Sequence, residues 1–394
     1  MTGPNINRRN SILCIADGPD WIFDRHIGYL KRYLDDEFDI QTAYRGGEYS
    51  EEDYDLIYPL EFIMVEPAQI QNPKKYVTGI RSFISWADWD FQSLVNYLNS
   101  KFLRVHTVSK ELYALFAPFI GNLAYVTHGF DIDLFTPNQP PQDKLGFLRL
   151  GWAGNRNTFV KGYWKYIHPL GQLPGVGLEI CGFADRNLSK EEMPGFYDSI
   201  DAYVCASSFE GSNNTLLEAA AMERAIVTTN VGTVSEYLKN GESALIVERN
   251  VEQFSKAVLK LRDDPELRLR LGKRARESLL EKKWDWKNKA QDYRLFFRNA
   301  IQVVAAQEDH STRSFWTIEG SPQSLAHVHG VQNQILREQR LGDAIRIYDL
   351  NEEIKLLRAE IDEIRSSETY LLVERIKSSK TLKALIEVYN RFKK

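Results

Sequence analysis

The sequence predicts an α/β fold: two Rossmann-like domains facing a cleft, followed by a helical, coiled-coil-like extension. Three observations carry this. Over roughly the first 130 residues, short apolar runs alternate with stretches of helical periodicity, which implies a parallel sheet with helices on its faces. A stretch with three prolines, TPNQPPQDKLG from Thr136 to Gly146, then interrupts the pattern and reads as a linker. Beyond it the alternation starts again. Such sheets receive ligands at the carboxyl ends of their strands, so a site is expected between the two domains.

In chain order, SILCIAD reads as a strand, RHIGYLKRYLDD as a helix, and FDIQTAY, YDLIYPLEF and YVTGIRSFIS as strands. FQSLVNYLNSK follows as a helix, LRVHTVS as a strand, KELYALFAPF as a helix and LAYVTHG as a strand. The second set runs FLRLGWAG (strand), KGYWKYIHPL (helix), LEICG and DAYVCAS (strands), TLLEAAAMER (helix), then AIVTT and SALIV (strands). From Val251 to Ala305 the pattern is helical, and the polar stretch after it reads as a linker. The expected domains are therefore 1–137, 138–305 with its closing helices, a linker over 306–340, and a helical tail over 341–394.

In the tail, Ile347, Leu350, Ile354, Leu357, Ile361 and Ile364 are spaced 3-4-3-4-3. This heptad seam predicts a coiled coil, with self-association through residues 345–366; the alternative is a helix packed on its own chain. The last 21 residues carry seven Lys/Arg against two Glu, with Ile376, Leu382, Leu385, Ile386, Tyr389 and Phe392 near one face. A basic amphipathic helix suits an anionic membrane surface or, equally, a dock on protein.

Composition narrows the function. The chain has 394 residues, 43% hydrophobic and 26% charged, enough for two cores. A net charge of -4 gives no basic footprint for nucleic acid. No run of about 18 apolar residues marks a membrane span, and the N-terminal stretch lacks an apolar segment of signal-peptide length. A cytoplasmic protein is expected, peripheral on the inner face of the membrane if the tail binds lipid. Cys14, Cys181 and Cys205 sit singly in apolar runs, as buried strand cysteines do. His327 and His329 are the closest histidine pair and lack metal-site spacing; no metal or other cofactor is expected.

The chemistry concentrates in SSFEGSNNTLLEAAAMERAIVTTNVG, Ser207 to Gly232. Glu210 and Glu218 have seven residues between them. Ser212, Asn213 and Asn214 each suit a helix N-cap, and Gly211 permits a sharp turn. A helix N-terminus offers free N–H groups and partial positive charge to a phosphate. Glu210 is then a loop carboxylate able to accept from sugar hydroxyls, and Glu218 a helical one able to accept from a ribose. The bland alternative is a surface loop and an ordinary helix former. Upstream, GNRNTFVKG places Arg156 and Lys161 five residues apart after a strand, a forked and a point cation for phosphate oxygens.

Together these residues resemble a family 4 glycosyltransferase, the retaining nucleotide-sugar enzymes of the two-Rossmann-domain (GT-B) type. GNRNTFVKG, the Glu-x7-Glu stretch SSFEGSNNTLLEAAA and TTNVGTVSEYLKNGESALIV occur in the family's order, and VTHGFDIDLFTP resembles its interdomain segment. The resemblance implies transfer of a sugar, with retention, from a nucleoside-diphosphate donor to a cell-surface glycan or lipid-linked acceptor, without a metal. It implies that Arg156 and Lys161 hold the donor diphosphate, that Glu210 faces the donor sugar, and that Glu218 binds the ribose. Gly211 and the backbone of Asn214, Thr215 and Leu216 would meet the distal phosphate.

The sequence also departs from that family. Met222, Glu223, Arg224 and Ala225 stand where a small residue, Gly and Pro are usual, and Thr233 replaces a glycine. The first β–α loop, ADGPDWIFDRH, keeps Gly18 but adds Pro19 and Trp21. The family's N-terminal histidine has no clear counterpart; IRSFISWADWD occupies its place, with Asp88 as the nearest candidate. Asp17 and Asp20 suit either an acceptor hydroxyl or a turn and cap. Trp86 and Trp89 suit either stacking on a ligand or core packing. A sugar-nucleotide epimerase and a non-catalytic assembly module acting through the tail remain as alternative functions.

Overall fold

The computed structural model describes residues 8–141, 144–182, 187–305 and 321–366, and the side chains of all of these but 344–354 and 356–366. The chain divides into two compact units, Met1–Gln339 and Arg340–Lys394.

The first unit opens with β1 (Asn10–Ala16), α1 (Ile22–Leu34), β2 (Phe38–Tyr44), β3 (Leu56–Pro59), β4 (Val77–Ile80), α2 (Phe91–Lys101), β5 (Arg104–Thr107), α3 (Lys110–Phe116) and β6 (Leu123–Tyr125). The strands run in the orders β2-β1-β3 and β4-β5-β6, all parallel. A single parallel bridge between Ile57 and Tyr76 joins the two groups. The apolar positions of α1, Ile27, Leu30 and Leu34, are buried at helical spacing, while Asp90 and Ser109 cap α2 and α3 by accepting from Ser93 and Leu112 N–H.

The second Rossmann-like layer comprises β7 (Leu148–Ala153), β8 (Val176–Cys181), α4 (Met193–Ser199), β9 (Ala202–Cys205), α5 (Asn214–Ala221), β10 (Ala225–Thr228), α6 (Val234–Tyr237) and β11 (Leu245–Ile246). Its five strands are parallel in the order β11-β10-β9-β7-β8. KGYWKYIHPL, expected as an α-helix between β7 and β8, is instead broken into tight and wide turns, Phe159–Lys161, Tyr163–Ile167 and His168–Gln172. Gly162 at φ 64° and Pro169 interrupt the regular hydrogen-bond ladder.

Three further helices follow: α7 (Val251–Asp263), α8 (Pro265–Glu281) and α9 (Trp286–Ala305). The last returns to the first domain. Trp286, Ala290, Tyr293, Phe297 and Ala300 form its buried stripe, in one cluster with Ile12, Leu30 and Tyr58. The closing helix thus completes the core of the domain that begins the chain. The proline-rich connection and its flanks are held by two buried arginines and a half-buried one: Arg224 donates to Gln139 O, Arg268 to Lys144 O and Phe147 O, and half-buried Arg276 to Phe135 O.

Helix α10 (Pro322–Ser366) starts inside the stretch expected as a linker. Leu325, Val328, Val331 and Ile335 lie at spacings of three and four and pack on the cluster that contains Trp86, Phe91 and Phe116. Trp86 is fully buried, and Trp89 stacks on Tyr97 with ring centroids 5.6 Å apart, so both tryptophans serve packing. Of the second unit, residues 340–366 are helical. The heptad positions 347–364 fall on that helix, and the basic end after Arg375 lies outside the described residues. Among the described residues no helix is long and apolar enough to cross a membrane.

Candidate active site

The loop from β9 to α5 carries Glu210, and the turn after β7 carries Lys161. The Lys161 ammonium lies 2.5 Å from Glu210 Oε1. The same oxygen accepts from Ser207 Oγ at 2.7 Å and Asn213 Nδ2 at 3.0 Å. Burial alone pulls the lysine down, but the Glu210 charge and hydrogen bond, with Cys205, hold it above its ordinary value. Lys161 is therefore a cation at any physiological pH, charge-paired with Glu210.

Of the three N-cap candidates the structure uses Asn213, with φ −91° and ψ 107° and Oδ1 accepting from Leu216 N–H at 3.3 Å. Thr215 Oγ1 also donates to Asn213 Oδ1, at 2.7 Å. With Leu216 N–H held by the cap, the outermost N–H groups of the helix belong to Asn214 and Thr215.

Gly211 is required by contact and not by a left-handed turn, since its φ is not positive. A Cβ there would lie 1.8 Å from Arg81 O, across the cleft in the first domain. On its other side, a Cβ on Gly232 (φ 56°) would meet Gly211 O at 2.7 Å and Glu210 O at 2.8 Å. The Glu210–Gly211 loop is thus clamped between the two domains. Phe209 packs on Phe83 of the first domain, ring centroids 5.3 Å apart, and Glu111 and Glu236 exchange hydrogen bonds with Gly232 and Lys110 N–H across the same seam.

Further along α5, Glu218 lines a pocket with Arg25, His26, Asn214, Lys190 and Trp286. Tyr197 donates to Glu218 Oε2 at 2.8 Å. Burial pushes the Glu218 carboxyl up to about 7, against the lowering effects of that hydrogen bond, Arg25 and Lys190. The two glutamates therefore have different settings: Glu210 Oε1 holds three donors, one of them a cation, while Glu218 lies in a pocket whose burial raises its carboxyl.

The remaining expected residues sit apart from this cluster. The Arg156 guanidinium lies over the Trp164 ring, 5.6 Å from its centroid. Asp17 and Gly18 form an exposed turn in which Asp17 Oδ1 accepts from Gly18 N–H, and burial is the main cause that raises the Asp17 carboxyl. Asp88 is exposed. Asp20 holds φ 62°, and Asp24 accepts from its N–H, which is turn geometry. Among the described residues no three His, Cys, Asp or Glu side chains form a metal-ligand set.

Several cleft residues escaped the sequence reading. Buried Arg81, at the end of β4, donates to Tyr58 and Tyr293 hydroxyls and lies 2.8 Å from His26 Nδ1. His26 and His128 have ring centroids 4.5 Å apart, and Asn214 faces both. Burial first, then His128 and Arg81 for His26 and Arg81 and Lys289 for His128, pulls both histidines well below their ordinary value. Asp131 accepts from Tyr29 and Lys190 at 2.7 and 3.1 Å. IRSFIS does contain Arg81, but nothing in its spacing announces that the chain turns it inward. Lys190 is an ordinary loop lysine by sequence.

Two parallel-sheet layers, with helix α9 crossing back to pack on the first domain, define the GT-B class of fold. The chain covers 100% of a sucrose-phosphate synthase from Thermosynechococcus elongatus over 76% of its own length, with a TM-score of 0.61 at 14% identity. It likewise covers 100% of Anabaena HepE, solved with UDP-glucose, over 74% of its own length, with a TM-score of 0.58 at 13% identity. Residues 185–278, which include the Glu210 loop and α5, match the family model for glycosyl transferases group 1. The lipopolysaccharide core biosynthesis glycosyltransferase LpsE of Rhizobium meliloti is 28% identical over 140 residues, 30% of this chain and 41% of that protein. The match thus spans less than half of that relative.

Proposed function

We propose that the chain is a retaining glycosyltransferase that moves a hexose from a nucleoside-diphosphate donor to a cell-surface glycan or lipid-linked acceptor. The observation that carries this reading is the meeting of Lys161 and Glu210 at the mouth of α5 with Glu218 in a pocket along the same helix. A diphosphate on the α5 N-terminus would take its charge from Lys161 and its N–H donors from Asn214 and Thr215. Arg156 supplies a second cation by swinging from Trp164. Glu218, ionised, accepts from the ribose.

In transfer, the bond from the sugar's anomeric carbon to the diphosphate breaks, and negative charge grows on the leaving oxygen. Lys161, Arg156 and the helix N-terminus stabilise that charge as it develops, the largest electrostatic contribution in such reactions. The acceptor oxygen attacks from the same face, and its proton passes to the leaving phosphate oxygen. No protein base is assigned. Glu210 would face the cationic sugar ring. The reading asks for no metal or other cofactor from the protein.

The likeness to LpsE and to HepE, which was solved with UDP-glucose, makes polysaccharide biosynthesis the expected setting and uridine nucleotides the first to try. The tail would bring the enzyme to its acceptor by self-association over residues 345–366 or by a basic end on an anionic inner membrane face. The test is a thermal-shift screen of UDP-, GDP-, ADP- and dTDP-sugars, in which a ligand at 100 times its dissociation constant adds roughly 2.7 kcal/mol. NMR of the product then reads the anomeric configuration. No stabilisation by any nucleotide, or an inverted product, overturns the corresponding part.

A further inference from the structure

Helix α10 reaches the donor loop from outside both Rossmann-like layers. Its first turns are anchored on the first domain: Val328 and Ile335 are almost fully buried, and Gln332 Nε2 donates to Trp86 O and Trp89 O at 3.5 and 3.0 Å. One turn further, Glu338 Oε2 accepts from Ser208 Oγ at 2.5 Å and from Arg249 Nη1 at 2.7 Å. Ser208 and Arg249 both belong to the second domain.

Arg249 has more than this one partner. Its Nε donates to Ala206 O at 2.8 Å and its Nη2 to Val160 O at 3.1 Å, and the guanidinium lies over the Tyr166 ring, 4.7 Å from its centroid. Val160 precedes Lys161, and Ala206 precedes Ser207, whose hydroxyl donates to Glu210. Ser208 N–H also donates to Val160 O, at 2.9 Å. One arginine therefore ties together the two backbone segments that carry Lys161 and Glu210, and Glu338 fixes both that arginine and the serine two residues before Glu210. The packing leaves no slack: a Cβ on Gly162 would lie 2.7 Å from Arg249 Nη2 and 3.1 Å from Ala206 O.

We propose that Glu338 is a positioning residue for the Lys161–Glu210 pair, acting through Arg249 and Ser208. The carboxylate orients the guanidinium by a charge-assisted bond, stronger and more directional than a neutral one. Because its own helix is anchored by Val328 and Ile335, the carboxylate arrives from a rigid platform rather than from a mobile surface chain. A part-exposed ion pair contributes little to global stability, so its effect is local order in the donor loop. The role in transfer rests on the proposed function; the local ordering does not.

The experiment compares Glu338→Ala and Glu338→Gln with the wild-type 394-residue chain by backbone hydrogen exchange, nucleotide binding and melting temperature. Exchange is expected to rise at residues 158–162 and 205–211 in Glu338→Ala, with β1 and α8 unchanged and the melting temperature close to wild type. Glu338→Gln, which keeps an acceptor oxygen, should lie between. For UDP, GDP or ADP, whichever binds the wild type, affinity should fall about tenfold in Glu338→Ala, the loss of roughly one charge-assisted bond. Unchanged exchange in both segments overturns the proposal whatever the nucleotides do. Raised exchange with a wild type that binds none of the three keeps the ordering role and removes the donor-site reading. Raised exchange with unchanged nucleotide affinity overturns the positioning of the pair. Ile335→Ala is the structural control: it should lower the melting temperature, which Glu338→Ala should not.

Discussion

Lys161 and Glu210 are ion-paired at 2.5 Å. A diphosphate that uses the lysine must therefore compete with, or share it with, a carboxylate that already has it. Glu210 keeps two other donors, Ser207 and Asn213, so the loop holds its shape when the lysine turns to a ligand. Glu210→Gln should lower kcat by about 10²-fold, a typical cost for one electrostatic contact to developing charge. Steady-state kinetics on the purified variant check this.

On the proposed function, Glu218 should make donor binding pH-dependent. Its carboxyl is raised to about 7 by burial, so the anion that the proposal sets against a ribose gains population as pH rises through neutrality. Nucleoside-diphosphate affinity should rise between pH 6 and 8 more steeply in the wild type than in Glu218→Gln, which subtracts the titration of the phosphate itself. Stability has the opposite sign. A carboxyl whose folded value lies above its unfolded value of about 4.5 stabilises the fold fully below that unfolded value, and the contribution is lost as pH rises through about 7. Glu218→Gln should accordingly raise the melting temperature at pH 8 and not at pH 4.5.

Glu223 stands at φ 57°, in the left-handed region that favours glycine and costs other residues about 1–2 kcal/mol. The sequence departs from the resembled family here, yet the backbone keeps the conformation a glycine would take. Glu223→Gly should stabilise by about 0.5–1 kcal/mol after the glycine's own entropy is counted, a rise of roughly 1–3 °C, seen by calorimetric melting.

Next to it, Arg224 is completely buried and donates to Met222 O, Ile200 O and Gln139 O. Arg224→Leu leaves three backbone carbonyls without that donor, at about 1 kcal/mol or more each. A loss of at least about 3 kcal/mol by denaturant titration is expected, together with faster proteolysis of the connection near Gln139.

The strands and most helices were legible because their periodicity is local: FDIQTAY and FQSLVNYLNSK match β2 and α2 residue for residue. KGYWKYIHPL was misleading because apolar spacing outweighed Gly162 and Pro169. Helix α9 was legible as a helix, but which core it fills depends on a return across the cleft. The same holds for α10: a polar sequence hides its Leu325, Val328 and Ile335 stripe, and Glu338 is one acid among many until tertiary contact selects it. Within the site, motif spacing led to Lys161, Glu210 and Glu218. Arg81, Lys190 and Arg249 carry no such spacing, because each comes from a different place: the end of β4, the turn before α4 and the loop after β11.

The central claim is that Lys161 and Glu218 bind the nucleoside diphosphate while Glu210 serves the sugar. Titration calorimetry with the nucleoside diphosphate that most stabilises the wild type tests it without knowledge of the acceptor. The account predicts that affinity falls about tenfold or more in Lys161→Ala and Glu218→Gln, the loss of one charged hydrogen bond each. Glu210→Gln, which frees Lys161 from its partner, should bind as tightly as the wild type or more tightly. Unchanged affinity in Lys161→Ala, or a clear loss in Glu210→Gln, would contradict it.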